Sequence, residues 1–86
     1  YGGVDAEVTL ECRHELAGVV IDRFGHDVWM CPPGENHFRA RVPVSVSSQF
    51  FGWITGIGTA MRIAGPEDVQ QQYEEYLQNV LQNYMD

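Results

Sequence analysis

The amino-acid sequence predicts an α+β domain of two layers, an antiparallel sheet carrying helices on one face. Three observations carry this expectation. Phe38, Ala40, Val42, Val44 and Val46 alternate with more polar residues, the period of a half-buried strand. Two other segments instead repeat apolar residues at helical spacing: Leu16, Ala17, Val20, Ile21, Phe24, and later Val69, Tyr73, Tyr76, Leu77, Val80, Leu81, Tyr84. Between strand and last helix lies Ser47 to Gly58, a short segment dense in aromatics and glycine.

The elements follow in order. Val8, Leu10 and Cys12 alternate with Thr9, Glu11 and Arg13 and predict the first strand. The first helix runs to Phe24, where Gly25 supplies a stop. Asp27 to Cys31 reads as a short second strand, and Pro32 to Asn36 as a turn. The third strand is interrupted by Pro43, which lacks a backbone donor, so its ladder is expected to end or bulge there.

Ser47 or Ser48 caps the aromatic helix, and Gly56 and Gly58 end it. On a helical wheel Phe50, Phe51, Trp53, Ile54 and Ile57 fill one arc and predict core. Gly52 and Gly56 lie together on the opposite face, where a helix usually carries charge. Glycine there costs about 1 kcal/mol relative to alanine, so this strip is either a place for close approach by another backbone or simply an early helix end. Ala60 to Ala64 reads as a fourth strand. Pro66, Glu67 and Asp68 open the last helix, with acids at the positive end of its dipole.

The order is β-α-β-β-α-β with an additional C-terminal helix, and the first six elements match the ferredoxin-like pattern. That pattern makes the first and third strands central and the second and fourth edges. Cys12 and Cys31 then stand two strands apart, roughly 10 Å from the strand spacing, too far for a disulfide. Residues 1–6 are expected to be a linker from upstream domains and residues 7–86 a single domain. The opening Tyr1-Gly2-Gly3 suggests a piece of a longer protein.

The chain has 86 residues and net charge −7, and all five of its basic residues are arginine. A phosphate backbone needs positive potential, so duplex DNA is a poor partner for this segment alone. No apolar run is long enough to span a bilayer, and the two cysteines fit neither a metal spacing nor a secreted framework; a reduced, cytoplasmic setting is expected. His14, His26 and His37 are scattered, so no metal site is expected.

The alternation places Thr9, Glu11, Trp29, His37, Arg39, Arg41 and Arg62 on the sheet face away from the helices. Three of the five arginines gather there. A guanidinium fork suits phosphate or carboxylate, and Trp29 suits stacking on a base. Arg39, Arg41, Arg62 and Trp29 are therefore candidate ligand-binding residues. Two other readings stay open: Glu11 pairs across strands with Arg41 or Arg62, or a second domain or subunit covers the face. Gly52, Gly56, Tyr73, Leu77 and Leu81 are the candidate interface, with packing of the last helix on its own domain as the alternative. Cys12 is expected to be buried and inert, and Cys31 to be more exposed.

The segments VTLEC, ELAGVVIDRFG, HFRARVPV, SSQFFGWITGIG and RIAGPEDV, in this order and spacing, resemble the C-terminal extension (WCX) of bacterial WYL-domain transcriptional regulators. The resemblance covers about residues 7–84, and no single motif in it is diagnostic. It implies a non-enzymatic, cofactor-free regulatory role in dimerisation and in sensing a nucleotide or single-stranded nucleic acid. It also implies partners upstream in the same chain, a WYL domain and a helix-turn-helix through which alone DNA would be bound. The alternative is a free-standing ferredoxin-like module for a small ligand. An acylphosphatase-like hydrolase shares the topology, and Arg13 follows the first strand as such an enzyme needs, but no glycine-rich cradle accompanies it. RNA-recognition domains need aromatics where this chain has Glu11, Arg39 and Arg41.

Overall fold

Strand β1, Val4–Arg13, lies at the centre of a four-stranded antiparallel sheet of order β2-β3-β1-β4. This is a computed structural model, and it describes residues 4–31 and 36–85. After β1 a 3-10 turn at His14–Leu16 leads into α1, Ala17–Phe24. Strand β2, Trp29–Cys31, is followed by β3, His37–Val46, and by α2, Ser48–Ile57. A second 3-10 turn, Gly58–Ala60, leads to β4, Met61–Gly65, and the last helix α3 spans Glu67–Gln82. The expected turn at Pro32 to Asn36 falls, except for Asn36, outside the described residues.

The mixed α+β class holds, with one four-stranded antiparallel sheet and three α-helices among the described residues. The first and third strands are the central pair. They are in register from Val4 opposite Val46 to Arg13 opposite His37. β1 starts at Val4, so residues 4–6 are strand rather than the expected linker.

The interruption expected at Pro43 does not occur, because Pro43 sits in the ladder opposite Glu7. The reason is the length of β2. Its pairing with β3 stops at Trp29 opposite Arg41, so beyond Arg41 strand β3 has a neighbour on one side only. A missing donor is tolerated where it meets an open edge. The irregularity falls instead between Thr9 and Leu10, where the register of β1 with β4 shifts.

The core lies between the sheet and the helices. Val8, Leu10, Cys12, Phe38, Ala40, Val42, Met61 and Ile63 supply it from the strands, and Val20, Phe50, Phe51, Ile54 and Val69 from the helices. The alternation of the sequence thus assigned the buried face correctly. Ser47 is the N-cap of α2, its Oγ accepting from Phe50 N–H at 3.4 Å. Gly56 lies within α2, and the helix stops at Gly58, whose φ of 90° few other residues adopt.

Helix α3 is tied to the domain through its first half. Phe51 of α2 meets Tyr73 and Tyr76 with ring centroids 5.3 and 5.4 Å apart. Thr55 Oγ1 donates to Phe51 O at 2.8 Å, which uses its single proton. The 3.0 Å bond between Tyr73 Oη and Thr55 Oγ1 therefore has Tyr73 as donor. Gln70 Nε2 also donates to Ile63 O at 2.9 Å, fixing the helix against β4.

Candidate functional site

The sheet face away from the helices gathers the charge. β1 brings Glu11 and Arg13 to it, β3 brings His37, Arg39 and Arg41, β4 brings Arg62 and β2 brings Trp29 and Cys31. Register places these side chains in rows. Trp29 stands opposite Arg41, and Arg41 opposite Thr9. Cys31 stands opposite Arg39, Arg39 opposite Glu11, and Glu11 opposite Arg62. Arg13 stands opposite His37 in the last row.

The pairs differ from one of the expected ones. Glu11 Oε1 lies 3.9 Å from Arg39 Nη2 and 4.0 Å from Arg62 Nη1. Arg41, expected as a possible partner of Glu11, is one row away. It lays its guanidinium over the Trp29 ring, 4.3 Å from the centroid. Such a contact contributes roughly 0.5–1 kcal/mol at an exposed site. Arg39 and Arg62 are well exposed, so each pair with Glu11 is worth at most about 1 kcal/mol.

Arg13 is the residue that the sequence reading left out of this group. Its signal was present, since Thr9, Glu11 and Arg13 are in phase along β1. Only Arg23 of the five arginines lies elsewhere, its guanidinium 5.3 Å from the Trp53 ring centroid. Four guanidiniums and one carboxylate therefore share the centre and one end of a face on a chain of charge −7. At the other end of β1 stand Asp5 and Glu7, with Asp5 accepting from Ser45 Oγ at 3.2 Å. The face is polarised along its strands.

A recess of about 460 Å³ opens at the basic end, lined by Glu11, Arg13, His37, Arg62 and Thr59 together with Ala60 and Met61. The Trp29–Arg41 stack lies outside it. Among the described residues no group of three histidine, cysteine or acidic side chains is placed to hold a metal ion.

The candidate interface residues divide. Tyr73 is half-buried against Phe51 inside its own chain. Leu77 and Leu81 are 38 and 57% exposed on the far half of α3. Gly52 and Gly56 are exposed on α2. A Cβ added to Gly52 would come within 3.8 Å of Tyr76 Oη, an ordinary contact, and one at Gly56 would meet open space.

Both cysteines are free, Cys12 buried and Cys31 exposed. Burial, aided by the neighbouring Glu11 carboxylate, pushes the Cys12 thiol up from 9.0 to about 11. A thiol reagent at pH 8 is expected to modify Cys31 alone in the native chain and both cysteines after denaturation. The raised value also sets a sign. Below pH 9 the thiol is protonated in both states and contributes no pH dependence. As pH rises from 9 toward 11 the unfolded chain loses the proton first, so stability falls, by about 2–3 kcal/mol at most. The fall should be absent in Cys12→Ala followed by urea titration over the same range.

No helix of the described residues is long and apolar enough to cross a membrane. Comparison with known proteins gave one result. No curated protein and no solved structure matches the chain. The profile of the WCX domain family matches residues 5–81, nearly the whole length. With a match of that extent over β1 through almost all of α3, the chain belongs to the WCX domain family.

Proposed function

We propose that this chain is the C-terminal regulatory domain of a bacterial, cytoplasmic WYL-type transcriptional regulator, acting without catalysis or cofactor. Its arrangement is ferredoxin-like, a reading supported by the strand order with β1 and β3 central and by the β-α-β-β-α-β succession. A WYL domain and a helix-turn-helix lie upstream in the same polypeptide, and DNA is contacted only through the latter. The domain serves two tasks, pairing two copies of the regulator and helping to sense an anionic effector, a nucleotide or a single-stranded nucleic acid.

The observation that carries the reading is the clustering of arginines on the open face of an acidic chain, beside an exposed tryptophan. Arg41 lying over Trp29 holds a flat cationic platform ready at the sheet edge. A base can stack there while Arg39 and Arg62, loosely paired with Glu11, exchange that carboxylate for phosphate oxygens. Because the effector-bound and effector-free faces differ in charge, contacts that favour one of them bias the upstream domains.

Replacing Arg39 and Arg41 together with alanine in the intact regulator is expected to abolish the transcriptional response to effector and leave basal DNA binding in place. An unchanged response would remove the sensing role from this face. A backbone-amide titration of the chain with mononucleotides and a short single-stranded oligonucleotide locates the contact directly, with saturable shifts expected at Trp29, Arg39, Arg41 and Arg62.

A further inference from the structure

The basic recess at the end of the sheet is separate from the Trp29–Arg41 platform. Arg13 and Arg41 are four residues apart in register along β1, from Arg13 to Thr9, or roughly 13 Å at the rise of a strand. One small anion cannot span both. The recess has its own donors. Arg13 and His37 face each other directly across β1 and β3, and such partners hold their Cβ atoms about 5 Å apart. Arg62, opposite Glu11, is the diagonal neighbour of Arg13 on the other side, about 7–8 Å away by the same geometry. Thr59 adds a hydroxyl at the rim.

Glu11 also lines this recess, and a carboxylate repels an anion. Its charge is already met by two guanidiniums, Arg39 and Arg62, at 3.9 and 4.0 Å. Neither pair is within hydrogen-bonding distance, so Arg62 can turn from Glu11 to a better acceptor without breaking a short bond. Among the described residues Arg13 makes no ion pair, and it is exposed in the same recess. Two guanidinium forks and an imidazole around one opening suit a tetrahedral dianion, which takes several donors at once.

We infer that Arg13, His37 and the Thr59 hydroxyl, with Arg62 shared with the effector face proposed above, form a seat for the terminal phosphate of a phosphomonoester. This goes beyond the sensing role proposed above, and the two can fail separately. A seat for a terminal phosphate can stand with no base on Trp29, and a base can stack with the seat empty. The ligand is either a small phosphorylated metabolite or the phosphorylated end of an oligonucleotide.

The test is an amide titration of the 86-residue chain with inorganic phosphate against chloride at constant ionic strength. Saturable shifts are expected for Arg13, His37, Thr59 and Arg62 with phosphate and not with chloride. Arg13→Ala should weaken phosphate roughly tenfold, the loss of about one charge-assisted contact. Glu11→Gln should tighten it, since the repelling carboxylate is gone; a merely structural Glu11 would give no gain. Arg23→Ala should change the affinity by less than about twofold, since Arg23 lies off this face against Trp53 and its charge is screened at that distance. Glycerol 3-phosphate and a 5′-phosphorylated trinucleotide then distinguish the two sources, the tighter one naming the ligand. Equal shifts with chloride, or phosphate binding indifferent to both Arg13→Ala and Glu11→Gln, would overturn the seat.

Discussion

Leu10→Ala is expected to lower the unfolding free energy by roughly 3–4 kcal/mol, within the range for deleting a fully buried leucine side chain. Leu10 is 0% exposed on the central strand, flanked by Ala40 on β3 and Ile63 on β4. Strands on both sides hold the backbone in place, so the structure cannot close over the vacated volume. A domain of this size has roughly 4–13 kcal/mol in total, so a loss of that order removes from about a quarter to nearly all of it. Urea denaturation followed by circular dichroism measures the difference. Val4→Ala is the matched control, since Val4 on the same strand is 76% exposed and should cost less than about 0.5 kcal/mol. A loss below about 1 kcal/mol at Leu10 would mean that the core rearranges freely.

The facing of β1, β3 and β4 was legible because a strand permits only two faces, and one of them is apolar. Once Val8, Leu10 and Cys12 are assigned inward, Thr9, Glu11 and Arg13 follow without further information. Arg13 was nonetheless missed, because it is the last residue of the strand and borders the turn at His14. The site was legible as a set of residue types on one face. Its pairing was not, because pairing depends on register. A shift of one row decides whether Glu11 meets Arg39 or Arg41, and no local pattern fixes that row. Pro43 shows the same limit. Whether a missing donor breaks a ladder depends on the length of the neighbouring strand β2, which lies in a different part of the sequence.

The stripe on α3 was likewise visible in sequence, but where it stops being core was not. Helical periodicity reports which side chains share a face and says nothing of how far the partner extends. Val69 is 2% exposed, and Tyr73 and Tyr76 pack on Phe51. From there on the same stripe emerges from the domain, with Leu77, Val80, Leu81 and Tyr84 at 38, 41, 57 and 84% exposure. The helix is thus half clamp and half free apolar surface.

Two truncations should separate these halves. Removing residues 67–86 takes away the buried Val69 and the two half-buried tyrosines that pack on Phe51, at about 1.5–3 kcal/mol for each large apolar side chain lost. Together these losses are comparable with the whole stability of a domain of this size, so the product is expected to be unfolded, with no dispersion in its amide spectrum. Removing residues 77–86 deletes only exposed apolar groups from the domain's own point of view. At concentrations low enough for the full chain to be monomeric, that product is expected to melt within a few degrees of it, in line with about 0.5 kcal/mol or less for surface changes. Its mass in solution is the decisive quantity. Pairing through the far half of α3 predicts a dimer for the full chain and a monomer for the chain ending at Tyr76, because hiding apolar surface at about 25 cal/mol per Å² drives association only while that surface exists. Sedimentation of both chains at matched concentration reads this directly. Equal masses would move the contact between copies away from Leu77 and Leu81, and would leave the exposed α2 strip at Gly52 and Gly56 as the surface to test next.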